Sequence, residues 1–194
     1  MLQSSIRKRV ITAVLSSIAY LLMMLEIPYP GSVFLKFDFS DLPALAALIL
    51  FGPGSALTVE ALKNVLHYLI QGSGTGVPIG EAANFVSAAV LILPLWLIYK
   101  RNQTLKGLLL GLGAGTAAMA LIMSIFNYYV ILPAYTFFLG MEQMNTEQIY
   151  QFIVLGILPF NLIKGILISV IFTMVYIRMK AWFEQKSVQA GRSI

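Results

Sequence analysis

Residues 80–99, GEAANFVSAAVLILPLWLIY, decide the fold. They form an apolar run of the roughly 20 residues that a helix needs to cross a bilayer core. Gly72 to Pro78, a glycine-rich loop, precedes them, and Lys100 and Arg101 follow. Working outward, a fifth span begins near Leu105 and runs toward Leu139, with a bend expected near Pro133. A sixth runs from Ile149 to Ile177 with Pro159 inside it. Upstream, Ser55 to Gln71 carries several polar residues, and Leu42 to Phe51, stopped by Gly52-Pro53-Gly54, is too short to span. These two stretches predict a short or tilted helical hairpin. The first span, from Val10 to Ile27, ends at Glu26 and the breakers Pro28-Tyr29-Pro30-Gly31. With Arg7, Lys8 and Arg9 before it, this run has the look of a signal peptide, but it is too long and no small-residue cleavage pattern follows.

The composition agrees with the spans. The chain of 194 residues is 59% hydrophobic and 11% charged, with a mean hydropathy of +0.85, whereas soluble domains run roughly 45–50% apolar and about 25% charged. Six spans would use about 120 residues, so the reading is an all-α, polytopic membrane protein of six transmembrane helices, the second short and the fifth and sixth long. Residues 1–182 form one membrane domain and 183–194 a short cytoplasmic tail. Cysteine is absent and there is one histidine, which leaves no thiolate or zinc site. The formal charge is +5, yet the basic residues are too few and too scattered for a nucleic-acid stripe. They gather instead at one end of the spans: Arg7, Lys8 and Arg9; Lys100, Arg101 and Lys106; and Arg178, Lys180, Lys186 and Arg192. The positive-inside rule makes that face cytoplasmic, with both termini on it, in the cell membrane. The opposite loops carry Lys36 with Asp38, Glu142 and Glu147.

Charges at membrane depth are costly and normally face a cavity or one another. Glu60, Lys63, Asn64 and His67 fall at i, i+3, i+4 and i+7, one stripe of a helix. Glu60 and Lys63 either line a site or form a structural ion pair, and His67 reads as a hydrogen-bonded packing residue rather than a metal ligand. Glu81 and Asn84 lie near the outer end of the fourth span, Asn127 in the outer half of the fifth, and Asn161 and Lys164 at i, i+3 in the sixth, just after Pro159. Amides on three spans and one ammonium suggest a polar cluster opening outward. An amide offers both donor and acceptor, suited to a neutral amide or imide edge, while a strongly anionic ligand would call for several arginines or lysines. Tyr29, Phe34, Phe37 and Phe39 in the first outer loop can add flat apolar surface. The ligand expected is therefore small, planar and neutral.

Gly107, Gly111 and Gly115 are spaced for close helix approach, within the chain or against another subunit. No P-loop, HExxH or paired-aspartate motif occurs, so neither ATP hydrolysis nor membrane catalysis is expected. One alternative is a self-sufficient secondary transporter coupled to protons through Glu60, Lys63 and His67. Another is a membrane enzyme using Glu60 or Glu81 with His67, which nothing in the spacing predicts.

Phe37-Asp38-Phe39-Ser40-Asp41-Leu42-Pro43-Ala44 followed by Phe51-Gly52-Pro53 resembles the substrate-binding (S) components of energy-coupling-factor vitamin transporters. Glu60-Ala61-Leu62-Lys63-Asn64 and Leu158-Pro159-Phe160-Asn161-Leu162-Ile163-Lys164 are similar to the riboflavin-specific branch, and the resemblance covers nearly the whole chain. It implies riboflavin as a transported ligand rather than a cofactor, captured from outside. The implied partners are a transmembrane coupling subunit and two cytosolic ATPases. It also implies that Asn127, Asn161 and Lys164, with Asn84, bind the ligand, that the loop at Asp38 and Phe39 acts as a lid, and that Ala13 and Ser17 dock the coupling subunit. The family pattern there is Ala-x-x-x-Ala, and Ser17 departs from it while staying small.

Overall fold

The computed structural model describes residues 2–30, 32, 35–140 and 144–189, with side chains from 6 to 179. Gly31, Phe34, Glu142 and Arg192 lie outside the described residues, as do the side chains of Lys180 and Lys186. The helices are α1 (Leu2–Met23), α2 (Asp41–Phe51), α3 (Pro53–Gln71), α4 (Ile79–Tyr99), α5 (Leu105–Phe126), α6 (Leu132–Leu139), α7 (Thr146–Phe152) and α8 (Leu158–Gln189). A five-residue π-turn, Asn127–Ile131, joins α5 to α6 without a break, and another, Ile153–Ile157, joins α7 to α8. The described residues thus make six helical rods. The three long and apolar enough to span a bilayer are Ile79–Tyr99, Leu105–Leu139 and Thr146–Met179.

Each π-turn comes just ahead of a proline. Pro133 and Pro159 lack an N–H and push away the carbonyl one turn back, and the wider π-turn absorbs both effects, so the helix continues where the sequence predicts a bend at Pro133. The other departures are at the ends. α1 stops at Met23 because Ile27–Pro28 pairs antiparallel with Lys36–Phe37 as strands β1 and β2. α8 runs on to Gln189, past the expected boundary at 182.

α2 is apolar all round, with Ala44, Leu45, Ala47, Leu48 and Leu50 no more than 1% exposed. Such a helix has no face to give to a polar environment, and it sits inside the bundle against α1, α3, α4 and α8. Gly52 turns the chain from α2 into α3 with φ 89°, a region glycine enters without strain, and Pro53 opens α3. Leu91, Leu95, Leu108, Leu112 and Phe172 complete the core around α2.

Gly111 and Gly115 of α5 are used inside the chain. A Cβ on Gly115 would lie 2.5 Å from the Leu91 carbonyl oxygen, and one on Gly111 2.7 Å from Leu95 Cδ1, so the α5 backbone lies directly against both backbone and side chains of α4. Gly165 of α8 packs as closely on Thr116. Gly115→Ala is expected to cost about 1–3 kcal/mol through overpacking, read as a lower midpoint of thermal unfolding in detergent. Gly113, with open space at its Cβ position, is the control, and Gly113→Ala should not lower the midpoint.

Candidate functional site

The site begins with the linker from β2 to α2. Asp38 accepts hydrogen bonds from the backbone N–H of Ser40 (2.8 Å) and from the Ser40 hydroxyl, the local aspartate turn that makes this residue type favourable ahead of a helix. Asp41 stands in the first turn of α2, where a carboxylate is favoured by the helix dipole. From α3, Lys63 reaches into this linker. Its Nζ lies 2.5 Å from Asp41 Oδ1, 2.7 Å from Glu60 Oε2 and 2.6 Å from the Ser40 hydroxyl, and both Lys63 and Glu60 are fully buried. From α8, Lys164 lies 3.3 Å from Asp41 Oδ2 and 3.5 Å from Asp38 Oδ2, while Asn84 of α4 donates to the same Asp38 oxygen at 3.3 Å. One buried network therefore ties the linker to α3, α4 and α8. Burial alone would raise the Asp38 carboxyl, but Lys164, Lys63 and the two Ser40 hydrogen bonds outweigh it and hold the group below the usual carboxylate range.

Beside this network lies a cavity of about 340 Å³, within the range of small-molecule sites. Asp38, Asn84, Asn127, Asn161 and Lys164 all line it. Asn127 and Asn161 each donate one N–H to the carbonyl one turn back, of Met123 and Ile157, both at 2.8 Å. That leaves the amide oxygen and a second N–H on each side chain for the cavity. Asn127 opens the first π-turn, Asn161 bonds to the last residue of the second, and the two π-turns pack against each other. Asn84 Oδ1 and Ser87 Oγ are buried with no hydrogen-bond partner, and both residues line the cavity. Buried polar atoms are rarely left unpaired, so the cavity wall holds one acceptor and one hydroxyl whose hydrogen bonds the chain itself does not make.

Phe160 lines the cavity, and the rings of the hairpin pack on it. Phe160 stacks on Phe37 of β2 with centroids 4.8 Å apart and meets Tyr29 edge-on at 5.4 Å, which seats the hairpin on α8. Phe39, by contrast, packs against the hydrophobic core and is absent from the cavity lining. Glu60 and Lys63 do not line the cavity either; they form the ion pair, enlarged by Asp41. His67 does line it and pairs with Glu81, Nδ1 to Oε1 2.9 Å. The sequence reading missed Asp41 as the hub of the network, although three carboxylates set against two lysines were a signal that more than one pair was present. It also missed Phe160, Ser87 and Tyr135 in the cavity wall. Ala13 and Ser17 lie apart from all of this, exposed on the outer face of α1.

A helical membrane bundle with an amide-lined cavity, with Leu35 and Lys36 of the strand hairpin in its wall, defines a solute-binding membrane component. Comparison with known proteins makes this specific. Residues 7–176 match the family model described as ECF transporter, substrate-specific component. The chain is 48% identical to the riboflavin transporter FmnP of Bacillus subtilis over 93% of its own length and 96% of the relative's. It is 40% identical to the riboflavin transporter RibU of Staphylococcus aureus, covering 89% and 90%. A solved structure of the S component of a bacterial ECF transporter superposes with a TM-score of 0.79 at 36% identity, covering 93% of this chain and 99% of that one. The chain belongs to the family of substrate-specific components of ECF transporters. It is a membrane transport component, not an enzyme, of a family that pairs with an energy-coupling module.

Proposed function

We propose that this chain captures riboflavin from outside the cell and delivers it inward together with a transmembrane coupling subunit and two cytosolic ATPases. The observation that carries the ligand is the cavity. It sets the amides of Asn84, Asn127 and Asn161 and the ammonium of Lys164 against the rings of Phe160 and Tyr135. A flavin has a flat apolar ring system, an imide edge that both donates and accepts, and a hydroxylated side chain, so each part meets a matching group. The names of the two relatives quoted above point the same way.

In this reading Asn127, Asn161, Lys164 and the unpartnered atoms of Asn84 and Ser87 hydrogen-bond the ligand. Asp38 holds Lys164 and Asn84 in place rather than meeting the ligand alone, and the β1–β2 hairpin with its linker is the lid. The termini lie in the cytoplasm in this reading, which the gathering of basic residues at one end of the spans supports. Ala13 and Ser17 present a small patch to the coupling subunit. Ser17 supports this despite being a serine, because its hydroxyl donates to the Ala13 carbonyl at 3.1 Å and is thereby satisfied on its own helix.

Protein purified from riboflavin-containing cells is expected to be yellow and to release flavin into an acid extract. Cells with this chain but without the ATPases should bind riboflavin and fail to accumulate it. Colourless protein that does not quench flavin fluorescence on titration would overturn the ligand, and sustained accumulation without ATPases would overturn the division of labour.

A further inference from the structure

In the cavity wall, four charged or ionisable groups from four different segments stand in a row. Lys36 of β2 pairs with Glu26, which follows α1. Glu26 Oε1 lies 3.6 Å from His67 Nε2 on α3, and the other ring nitrogen of His67 lies 2.9 Å from Glu81 on α4. All four line the cavity. Neither the buried network nor the amide set uses Glu26 or Lys36. His67 is the middle of the row, with one nitrogen turned to each carboxylate, and it is the point at which the hairpin side meets the helical wall formed by α3 and α4. The aromatic contact of Tyr29 and Phe37 with Phe160 fastens the hairpin to α8 only.

We propose that Lys36, Glu26 and His67 form an ionic latch, anchored on Glu81, that holds the hairpin shut against α3 and α4 and so sets the rate at which solute enters and leaves the cavity. The proposal rests on the hairpin being the lid, as in the function above, but not on which solute is bound. The aromatic contacts act as the hinge side and the ionic row as the opening side. The row is partly exposed, with side-chain exposures of 46% for Lys36 and 23% for Glu26. Exposed pairs are weak and reversible, which is what a latch that must open on each cycle requires.

The chain contains no cysteine, so a single thiol at Met123, which is 3% exposed and lines the cavity, reports opening without any ligand. In a Met123→Cys background, labelling by a water-soluble maleimide should speed up about two- to fivefold on adding Glu26→Gln, the range expected from losing weak ion contacts. His67→Leu should give a similar rise, and Glu26→Gln with His67→Leu together no more than either alone, because the two residues act through one chain of contacts. Equal labelling with and without Glu26→Gln, or effects of the two substitutions that simply multiply, would overturn the latch. Riboflavin dissociation, followed by recovery of flavin fluorescence, should accelerate by the same factor as labelling. Failure of riboflavin to bind at all would count against the ligand while leaving the labelling result to decide the latch.

Discussion

Lys63→Met is expected to destabilise the protein by about 3–5 kcal/mol, the cost of removing one partner from a buried ion group. Lys63 is fully buried, and its ammonium is the common partner of Asp41, Glu60 and the Ser40 hydroxyl. Methionine matches the stem in length and packing but leaves Glu60, whose Oε1 already lacks a hydrogen-bond partner, with no positive neighbour at contact distance. Thermal unfolding in detergent measures the loss. Adding Glu60→Gln to Lys63→Met should restore part of it, because the second substitution removes a charge that the first strands. An unfolding midpoint that does not move would mean that the pair is not a structural fastening. The same substitution should also weaken binding, since Ser40 holds Asp38 and Asp38 holds Lys164 and Asn84.

Asn161→Ala and Lys164→Ala should each weaken riboflavin binding by about 1–3 kcal/mol, the cost of leaving a buried polar partner unmade. Lys164→Ala is expected to be the larger, because it takes a hydrogen-bonding group from the cavity and a counter-charge from Asp38 and Asp41 at once. Asn161→Ala also frees the Ile157 carbonyl at the end of the π-turn, so its effect combines lost contact with loosened backbone. Titration by flavin fluorescence quenching gives both affinities. Wild-type affinity in both variants would remove these two residues from the ligand's surroundings.

The sequence carried the spans well because lipid imposes a single strong requirement, length of apolar helix, which residues 80–99 and 105–139 meet almost to the residue. It carried the site amides because polar residues at membrane depth have few places to go. Asn84, Asn127, Asn161 and Lys164 accordingly come to one cavity. What it did not carry was direction within a short segment. Phe39 and Phe37 are two apart in a loop of no fixed period, and only the pairing of Ile27 with Phe37 turns Phe37 toward Phe160 while Phe39 goes to the core. The partners of Lys63 were half legible. Glu60 is one turn away on the same helix, but Asp41 comes from 22 positions earlier in the chain, and no local rule pairs them. The π-turns were hidden for the same reason, since Pro133 and Pro159 announce a disturbance without saying how the backbone will absorb it.

Those π-turns have a consequence for how the site is written in the chain. A π-turn is a helix holding one residue more than its regular count, and one residue is worth about 100° of rotation about the axis. The surplus within 127–131 therefore sets the angular phase of everything from Leu132 to Leu139, including Leu132 and Tyr135 on the cavity wall, and the surplus within 153–157 sets that of Phe160, Asn161 and Lys164. The pocket is encoded as much in arithmetic as in chemistry. A relative could keep every one of these side chains, lose a single residue upstream of them, and turn the whole set away to the lipid.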